Sequence, residues 1–381
     1  MKVAIVVTHL LGTGHLARAL TLGRAFVAGG HDALVISGGM PVAHLGGADA
    51  RVFQLPPLRS DGVDFSTLLD DRGDVASAEY LAEREMTLIR QITQYAPDAL
   101  ITELFPFGRR ILKTEFQALL EQARRLAQPP QVFASIRDIL APPSKPKKAV
   151  FAQGMVDTFY DAVLVHSDPQ ITPLDLSWPV TGALRPKLRY TGFVTPAPAP
   201  AHPQGAGRGE VLVSAGGGDV GDTLFACALE AAAADGSRPW RLLVGGQNAP
   251  ETCAKLMRGS PANVTAEPAR PDFRQMLHHA AASVSLCGYN TALDILQSGC
   301  PAVFVPFDAG NEVEQTIRAN AMAGQPGIET VATAELAPRA LLDALDAARR
   351  APRRAAQTDH MQGAEETVRI VAEICRHADA R

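Results

Sequence analysis

The chain has 381 residues, which is longer than a single hydrophobic core usually grows and therefore favours two domains. Of these residues 46% are hydrophobic and 20% are charged, as in globular α/β proteins rather than disordered or fibrous ones. The formal net charge of -4 lacks the basic excess that is typical of nucleic-acid-binding proteins. We therefore expect a globular protein of two domains with no nucleic-acid partner.

The five cysteines are scattered, and they form no CxxC pair, so we interpret them as reduced thiols. The N-terminal apolar run is broken at His9, before it reaches the length of a signal-peptide core. No other apolar stretch approaches the roughly 20 residues that a membrane-spanning helix requires. These features predict a cytoplasmic protein.

Short apolar runs alternate with amphipathic stretches through the first half of the chain, which is typical of parallel strands joined by helices. This alternation predicts a doubly wound domain over residues 1–193. The predicted strands lie at 3–8, 33–37, 52–55, 99–102, 132–135 and 162–166, and the predicted helices at 16–29, 78–95 and 114–127.

Residues 194–209 are rich in proline and then in glycine, which is typical of a semi-rigid linker. A second alternation follows and predicts another doubly wound domain over 210–357. We expect the amphipathic segment 358–381 to be a helix that packs back on the N-terminal domain. In the second domain the predicted strands lie at 211–215, 241–244, 264–267, 283–286 and 302–306, and the predicted helices at 223–234, 272–280, 291–297, 312–323 and 336–347.

Three turns of the second domain follow strands and lead into helices. The first contains Gly216, Gly217 and Gly218, and such a turn exposes backbone N–H groups to an anion at the positive end of a helix. The second runs from Gly288 into a helix that carries Asp294, predicted on its first turn. A single turn of this kind is as consistent with plain packing, and an aspartate near a helix start also suits the helix dipole alone. The third, residues 306–315, has acidic and amide side chains that suit sugar hydroxyls, although by itself it fits a plain N-capped helix. Three such turns on adjacent strands favour a site for a nucleotide diphosphate and its sugar.

The turn after the first strand contains Gly14 and His15, and it fits the dinucleotide pattern GxGxxA. The second strand ends in Ser37 and two glycines, without the acidic residue that binds an adenosine ribose, so NAD binding is the lesser interpretation. His15 at the start of a helix suits a general base or a donor to a pyrophosphate. The alternative is a histidine with a packing role only.

These motifs resemble glycosyltransferase family 28, which includes the transferase that adds GlcNAc to the peptidoglycan lipid precursor. The resemblance is most specific over residues 264–323 and continues in order over the rest of the chain. The segments that carry it are GTGH, VSAGGG, CGYNTALDILQSGCPAVFVPF and NEVEQTIRA. Four further segments are similar to a sub-branch of predicted glycosyltransferases within this group: ITELFPFGRR, SIRDIL, VLVHSDP and YTGFV.

The resemblance implies the GT-B fold, in which two Rossmann-like domains face each other across a cleft, and an inverting transfer from a UDP-sugar or related donor. Asp294 stands where the family has a ribose-binding carboxylate, one methylene shorter here. Glu314 and Gln315 stand where the family has a Gln-Gln pair that reads the donor sugar. The complete set of donor-binding candidates is Gly14, Gly216, Gly217, Gly218, Phe273, Gly288, Tyr289, Asn290, Thr291, Asp294, Glu314 and Gln315.

Two residues are candidates for the base that removes the acceptor proton, His15 and Glu103, which directly follows a predicted strand. Glu103 has an alternative as a structural ion pair with Arg109 or Arg110. Arg109, Arg137 and Asp138 are expected on the acceptor side, although the last two also suit a plain ion pair. We find no convincing DxD element, so we expect a metal-independent reaction in which helix N-termini stabilise the diphosphate. No cofactor is expected, because the nucleotide-sugar is a co-substrate.

The acceptor is an unidentified small molecule, glycan or lipid-linked compound. Residues 104–113 combine aromatic with basic side chains, which suits contact with an anionic membrane, although a helix start with its apolar side in the core is the preferred interpretation. Two other functions share the expected fold: a UDP-sugar 2-epimerase, which requires several acid and base groups around one sugar, and a sugar-nucleotide sensor without chemistry.

Overall fold

The computed structural model describes residues 1–10, 13–42, 51–60, 67–216, 221–246, 248–309, 312–357 and 359–379. The chain divides into two compact units. Unit 1 consists of Met1–Thr195 together with Gln362–Arg381, and unit 2 consists of Pro196–Met361. None of the described helices is both long and apolar enough to cross a membrane.

Unit 1 is built on a sheet of eight strands among its described residues. The strands are β1 (Lys2–Val7), β2 (Asp32–Gly39), β3 (Arg51–Ser60), β4 (Leu68–Leu69), β5 (Ala99–Glu103), β6 (Gln131–Arg137), β7 (Ala162–His166) and β8 (Leu188–Tyr190), and the helices are α1 (Gly14–Ala28), α2 (Ala78–Tyr95), α3 (Lys113–Arg124), α4 (Pro146–Phe159) and α11 (Gly363–Asp379). Their order in the sheet is β4-β3-β2-β1-β5-β6-β7-β8, and every pair except β3 with β4 is parallel.

Alternate residues of β1 point to opposite faces of this sheet, and each face has its own core. Val6 packs in the core that contains Leu88 of α2. Ile5 packs on the other face, with Leu20 of α1 and Val371 of α11. Because helices cover both faces, the strands are apolar almost throughout, and the doubly wound arrangement predicted for this half is confirmed.

Unit 2 contains a second, fully parallel sheet among its described residues. The strands are β9 (Val211–Ser214), β10 (Trp240–Val244), β11 (Val264–Pro268), β12 (Ala282–Ser285), β13 (Ala302–Phe304) and β14 (Ile328–Thr330), and the helices are α5 (Asp222–Asp235), α6 (Ala249–Leu256), α7 (Phe273–Met276), α8 (Tyr289–Ser298), α9 (Glu314–Met322) and α10 (Pro338–Arg350). The strand order is β11-β10-β9-β12-β13-β14. The carboxyl ends of β9, β12 and β13 are therefore neighbours, as the interpretation of the three turns required.

The proline-rich residues predicted as a linker from 194 lie mostly in unit 2, where side chains hold their backbone. The amide nitrogen of Gln297 donates to the carbonyl oxygen of Pro196 at 3.1 Å. His278 Nε2 lies 2.8 Å from the carbonyl oxygen of Ala199. The histidine side chain that follows the short helix α7 thus contacts this segment, and α7 ends well before the predicted residue 280.

The C-terminal helix α11 belongs to unit 1. The chain enters it through a β-bridge between Val194 and Gln362. A Cβ atom at Gly363 would lie 2.4 Å from the carbonyl oxygen of Gly192, so only glycine allows this close approach of two backbones. The helix then packs against α1 through Val371 and its neighbours.

Candidate active site

The first group of predicted site residues lies at the carboxyl ends of the strands of unit 1. Glu103 is the last residue of β5, and His15 is the second residue of α1, which follows β1. Because β1 and β5 are parallel neighbours, their carboxyl ends reach the same edge of the sheet. His15 Nδ1 accordingly lies 2.9 Å from Glu103 Oε1. The structure brings the two candidate bases into one hydrogen-bonded pair.

A third residue, Arg18, completes this group and was not among the predicted site residues. Arg18 is three residues beyond His15 on α1, so the two side chains share a helix face. Its guanidinium contacts the same Glu103 oxygen and lies 3.2 Å from His15 Nδ1. The helical spacing of an arginine after GTGH was a signal available in the sequence.

The charges of this group follow from its burial. Burial raises the pKa of Glu103, which is 1% exposed, but the Arg18 charge and the His15 hydrogen bond outweigh it and hold the carboxyl pKa below its usual range. Burial lowers the pKa of His15 to about 4, so its imidazole is neutral at neutral pH. A carboxylate can only accept, so the proton of this neutral ring lies on Nδ1. The lone pair of His15 is therefore on Nε2, and the side chain is 17% exposed.

The alternative in which Glu103 pairs with Arg109 or Arg110 is wrong. Arg109 Nε donates to the carbonyl oxygen of Thr8 at 2.6 Å. Arg110 Nη1 donates to the carbonyl oxygen of Phe107 at 2.5 Å. Both arginines donate to carbonyl oxygens of the main chain, whereas Arg18 and His15 contact the carboxylate of Glu103. Burial lowers the pKa of Arg109 to about 10.

The two phenylalanines of the suggested membrane segment are core residues. Phe105 is fully buried, and its ring stacks on Phe116 with 4.5 Å between centroids. Phe107 is 3% exposed and packs edge-on against Trp178. Both rings therefore fill the core, as the alternative interpretation of 104–113 predicted, whereas Ile111 is 38% exposed. Contact of this segment with a membrane stays a prediction.

Arg137 and Asp138 lie at the end of β6, on the same sheet edge as Glu103. Asp138 is fully buried, and Arg137 is half-buried. Arg137 Nε donates to the carbonyl oxygen of Ile139 at 3.0 Å, which holds the turn that follows β6. Their role toward an acceptor stays a prediction.

The second group of predicted site residues lies at the carboxyl ends of β9, β12 and β13 in unit 2. Gly216 has a φ of +80°, which favours glycine, whereas Gly217 and Gly218 lie outside the described residues. Gly288 caps α8 in extended backbone, and a Cβ there would meet nothing within 4 Å. The first turn of α8 contains Tyr289, Asn290 and Thr291, so its N–H groups begin beside open space.

Asp294 is the sixth residue of α8 and lies on its second turn, because the helix begins at Tyr289 rather than at 291 as predicted. Its Oδ1 accepts from Arg274 Nε of α7 at 2.8 Å. Arg274 also donates to Gln297 Oε1 at 2.7 Å, and so ties α7 to α8. Burial raises the pKa of Asp294 to about 6 in spite of this arginine.

Glu314 and Gln315 begin α9, after the turn that follows β13. Gln315 Oε1 accepts from the backbone nitrogen of Phe307 at 3.2 Å, so its amide group is anchored to that turn. The backbone nitrogen of Glu314 donates to Glu312 Oε1 at 2.6 Å. Phe273 is half-buried at the start of α7, one residue before Arg274.

No group of three or more histidine, cysteine, aspartate or glutamate side chains suited to a metal ion occurs within the described part of the chain. The five cysteines are all buried.

Residues 215–374 match the glycosyltransferase family 28 C-terminal domain. The chain is also similar to the UDP-N-acetylglucosamine–N-acetylmuramyl-(pentapeptide) pyrophosphoryl-undecaprenol N-acetylglucosamine transferase of Brucella anthropi, with 31% identity over 169 residues. That match covers 42% of this chain and 44% of the relative, so the chain spans less than half the length of this relative.

Two solved structures show the fold of the whole chain. The crystal structure of Acinetobacter baumannii MurG is similar with a TM-score of 0.62 and 15% identity, over 98% of this chain and 100% of that one. The glycosyltransferase VinC in complex with dTDP is similar with a TM-score of 0.61 and 15% identity, over 99% and 100% of the two chains. The fold is therefore GT-B, as the resemblance implied.

Proposed function

We propose that this chain, whose residues 215–374 match the glycosyltransferase family 28 C-terminal domain, is a glycosyltransferase that moves a hexose-type sugar from a UDP-sugar to a hydroxyl acceptor. The observation that carries the proposal is the combination of this domain, most of which lies in unit 2, with a buried histidine–carboxylate pair in unit 1. The first supplies a nucleotide-sugar site and the second a base.

We assign donor binding to the neighbouring carboxyl ends of β9, β12 and β13. The diphosphate would accept from the N–H groups at the start of α8, where the helix dipole also favours negative charge. Asp294 would accept from the ribose hydroxyls, and the start of α9 with Glu314 and Gln315 would contact the sugar. The two similar proteins named for UDP-GlcNAc and dTDP support a nucleoside diphosphate of this pyrimidine class.

We assign the base to His15 and its orientation to Glu103. The neutral ring carries its proton on Nδ1, so Nε2 can take the proton of an acceptor hydroxyl. The acceptor oxygen would then form its bond to the anomeric carbon as the bond from that carbon to the diphosphate breaks, and the electron pair would leave with the diphosphate. Glu103 stabilises the imidazolium that results. A single displacement of this kind inverts the anomeric carbon.

The departing diphosphate would be stabilised by backbone N–H groups and the α8 dipole, which are fixed where the negative charge develops. We accordingly propose a transfer that needs no metal ion. Activity that persists in EDTA supports this part, and activity restored by added Mg²⁺ or Mn²⁺ contradicts it.

The proposal is tested by a thermal-shift panel of UDP-, GDP- and TDP-sugars, because a ligand bound only by the native state raises its stability. At about 100 times the dissociation constant the gain is about 2.7 kcal/mol. We expect UDP-sugars to give the largest shift. If no nucleotide-sugar shifts the transition, the donor assignment fails. Incubation of UDP-GlcNAc without acceptor should leave it intact, whereas a 2-epimerase would form the ManNAc product or release UDP.

A further inference from the structure

Three buried polar side chains continue inward from Glu103 and have no part in the proposed reaction. Ser135 Oγ lies 2.5 Å from Glu103 Oε2, and His166 Nε2 lies 2.9 Å from the same hydroxyl. Thr191 Oγ1 lies 2.8 Å from His166 Nδ1. Ser135 and His166 are fully buried, and Thr191 is 3% exposed. A line of hydrogen bonds thus crosses the interior of unit 1.

The sheet itself places these groups. β5, β6 and β7 are parallel neighbours, and Ser135 is in register with Glu103. His166 is the last residue of β7, and Thr191 directly follows β8, the next strand. Each step of the line therefore crosses from one strand to its neighbour near the carboxyl edge. Apolar residues occupy most other positions of these strands, so the polar line is a local exception.

The hydrogen bonds can run in only one direction while Glu103 is ionised. The carboxylate must accept, so the Ser135 hydroxyl donates to it. The serine oxygen must then accept from His166, which requires a proton on Nε2. Burial lowers the pKa of His166 to about 3, so the ring is neutral and its Nδ1 accepts from Thr191. The charged groups that act on this ring are Arg18 and Glu103.

The same hydrogen bonds can run in the opposite direction, from Ser135 toward Thr191, if the side chain at position 103 becomes a donor. Thr191 Oγ1 also lies 2.8 Å from the carbonyl oxygen of Gly192, so its hydroxyl has a second acceptor. Thr191 could then accept from Nδ1 of His166, while Nε2 accepts from Ser135. Every group stays hydrogen-bonded in either direction, and the charge at residue 103 selects between them.

We propose that Ser135 and His166 are positioning residues for the His15–Glu103 pair. The hydrogen bonds from Thr191 to His166, from His166 to Ser135 and from Ser135 to Glu103, here called the relay, all donate toward Glu103 and fix its second carboxylate oxygen. This inference rests on the proposed function for its catalytic meaning. With Oε1 held by His15 and Arg18 and Oε2 held by Ser135, the carboxylate cannot rotate. The His15 ring then keeps the orientation that aims Nε2 at an acceptor.

The relay is tested without any substrate by ¹⁵N NMR of histidine-labelled protein, with the His166 signal assigned from His166→Gln. At pH 7 we expect the wild-type ring to carry its proton on Nε2. In Glu103→Gln the amide oxygen should face Arg18, which only donates, and the amide NH₂ should face Ser135. The His166 proton is then expected on Nδ1. A wild-type proton on Nδ1, a doubly protonated ring, or the same tautomer in both proteins overturns the relay.

The positioning role is tested by kinetics. Ser135→Ala should lower kcat about 10- to 100-fold with an unchanged KM for the donor, since small misplacements of a reacting group have effects of this size. Ser37→Ala is the matched control, because Ser37 is also buried on a parallel strand of unit 1 and its hydroxyl has no partner among the described residues.

A second pair of variants guards against misfolding of Ser135→Ala. His166→Gln keeps an N–H donor near the position of Nε2 and should retain more kcat than His166→Leu. Equal kcat in these two variants, or a Ser135→Ala variant that matches Ser37→Ala, overturns the positioning role. A wild-type chain that transfers no sugar counts against the proposed function only, because the NMR result is independent of turnover.

Discussion

Each unit contains a shielded carboxylate near the carboxyl edge of its sheet, and the two are held differently. Glu103 in unit 1 is 1% exposed and has Arg18, His15 and Ser135 around both oxygens. Asp294 in unit 2 is 14% exposed, and its one charged partner among the described residues is Arg274, on Oδ1. The pKa of Glu103 lies below its usual range, whereas burial raises the pKa of Asp294 to about 6.

The difference shows that burial alone does not set the charge of a carboxylate. Desolvation opposes ionisation at both sites, and each carboxylate has one arginine donor, but Glu103 has two further hydrogen-bond donors, His15 and Ser135. Glu103 is a permanent anion at physiological pH, which suits a group that orients a base. Asp294 titrates within reach of neutral pH, which suits a group that gains partners when a ligand binds.

The largest expected effect comes from removing the base that Glu103 orients. His15→Ala should lower the rate of sugar transfer by about 10²- to 10⁴-fold, the usual contribution of general base catalysis. The donor-induced thermal shift should persist, because unit 2 is unchanged. Initial rates and thermal shifts of the same preparations measure both effects. His377→Ala, at a largely exposed histidine of α11, is the control and should keep full activity. A His15→Ala variant that also does so would remove His15 from the reaction.

The next effect concerns stability. Arg18→Leu removes the charged partner of Glu103 and should lower the free energy of unfolding by about 3–5 kcal/mol at pH 7. Because the pKa of Glu103 is lowered by folding, its contribution is present above its unfolded value of 4.5 and is lost as the pH falls below that value. The difference in the free energy of unfolding between the variant and the wild type should therefore become smaller as the pH is lowered.

Urea unfolding of Arg18→Leu and the wild type at pH 7 and pH 4 measures this difference in the free energy of unfolding. Arg369→Leu is the control, since Arg369 is 59% exposed and its pairs with Glu366 and Glu373 lie on the surface. Exposed pairs contribute about 0–1 kcal/mol. An Arg18→Leu variant as stable as Arg369→Leu would mean that the buried pair does not hold Glu103 ionised.

The smallest effect concerns donor affinity at Asp294. The carboxylate accepts from hydroxyls only when ionised, so donor binding should weaken as the pH falls through about 6. Asp294→Asn should bind the donor about tenfold more weakly at pH 7.5, as expected for one hydrogen bond to a charged group, and should lose this pH dependence.

Calorimetric titration with UDP at pH 7.5 and pH 5 distinguishes the two proteins. Asp272→Asn serves as the control, because Arg270 holds the pKa of Asp272 at about 2 and its charge does not change over this range. Wild-type affinity that is constant across this range would contradict a role for Asp294 in ribose binding.

The sequence by itself determined the two doubly wound halves and the three turns on neighbouring strands. Strand and helix periodicity is a local property, and the carboxyl ends of parallel strands always share an edge, so His15, Glu103 and Gly288 could be assigned to such edges from their places after strands.

Only the tertiary structure decided which side chains meet there. Strand order and register place Ser135 and His166 beside Glu103. The packing of α7 against α8 places Arg274 beside Asp294, 20 residues away along the chain. Phe105 and Phe107 also pack in the core, whereas their sequence context was compatible with a surface that contacts a membrane. Pairwise contacts and burial depend on the whole three-dimensional arrangement, and the sign of a buried pKa shift depends on both. For this reason the opposite behaviour of the two carboxylates could not be read from their positions in the sequence.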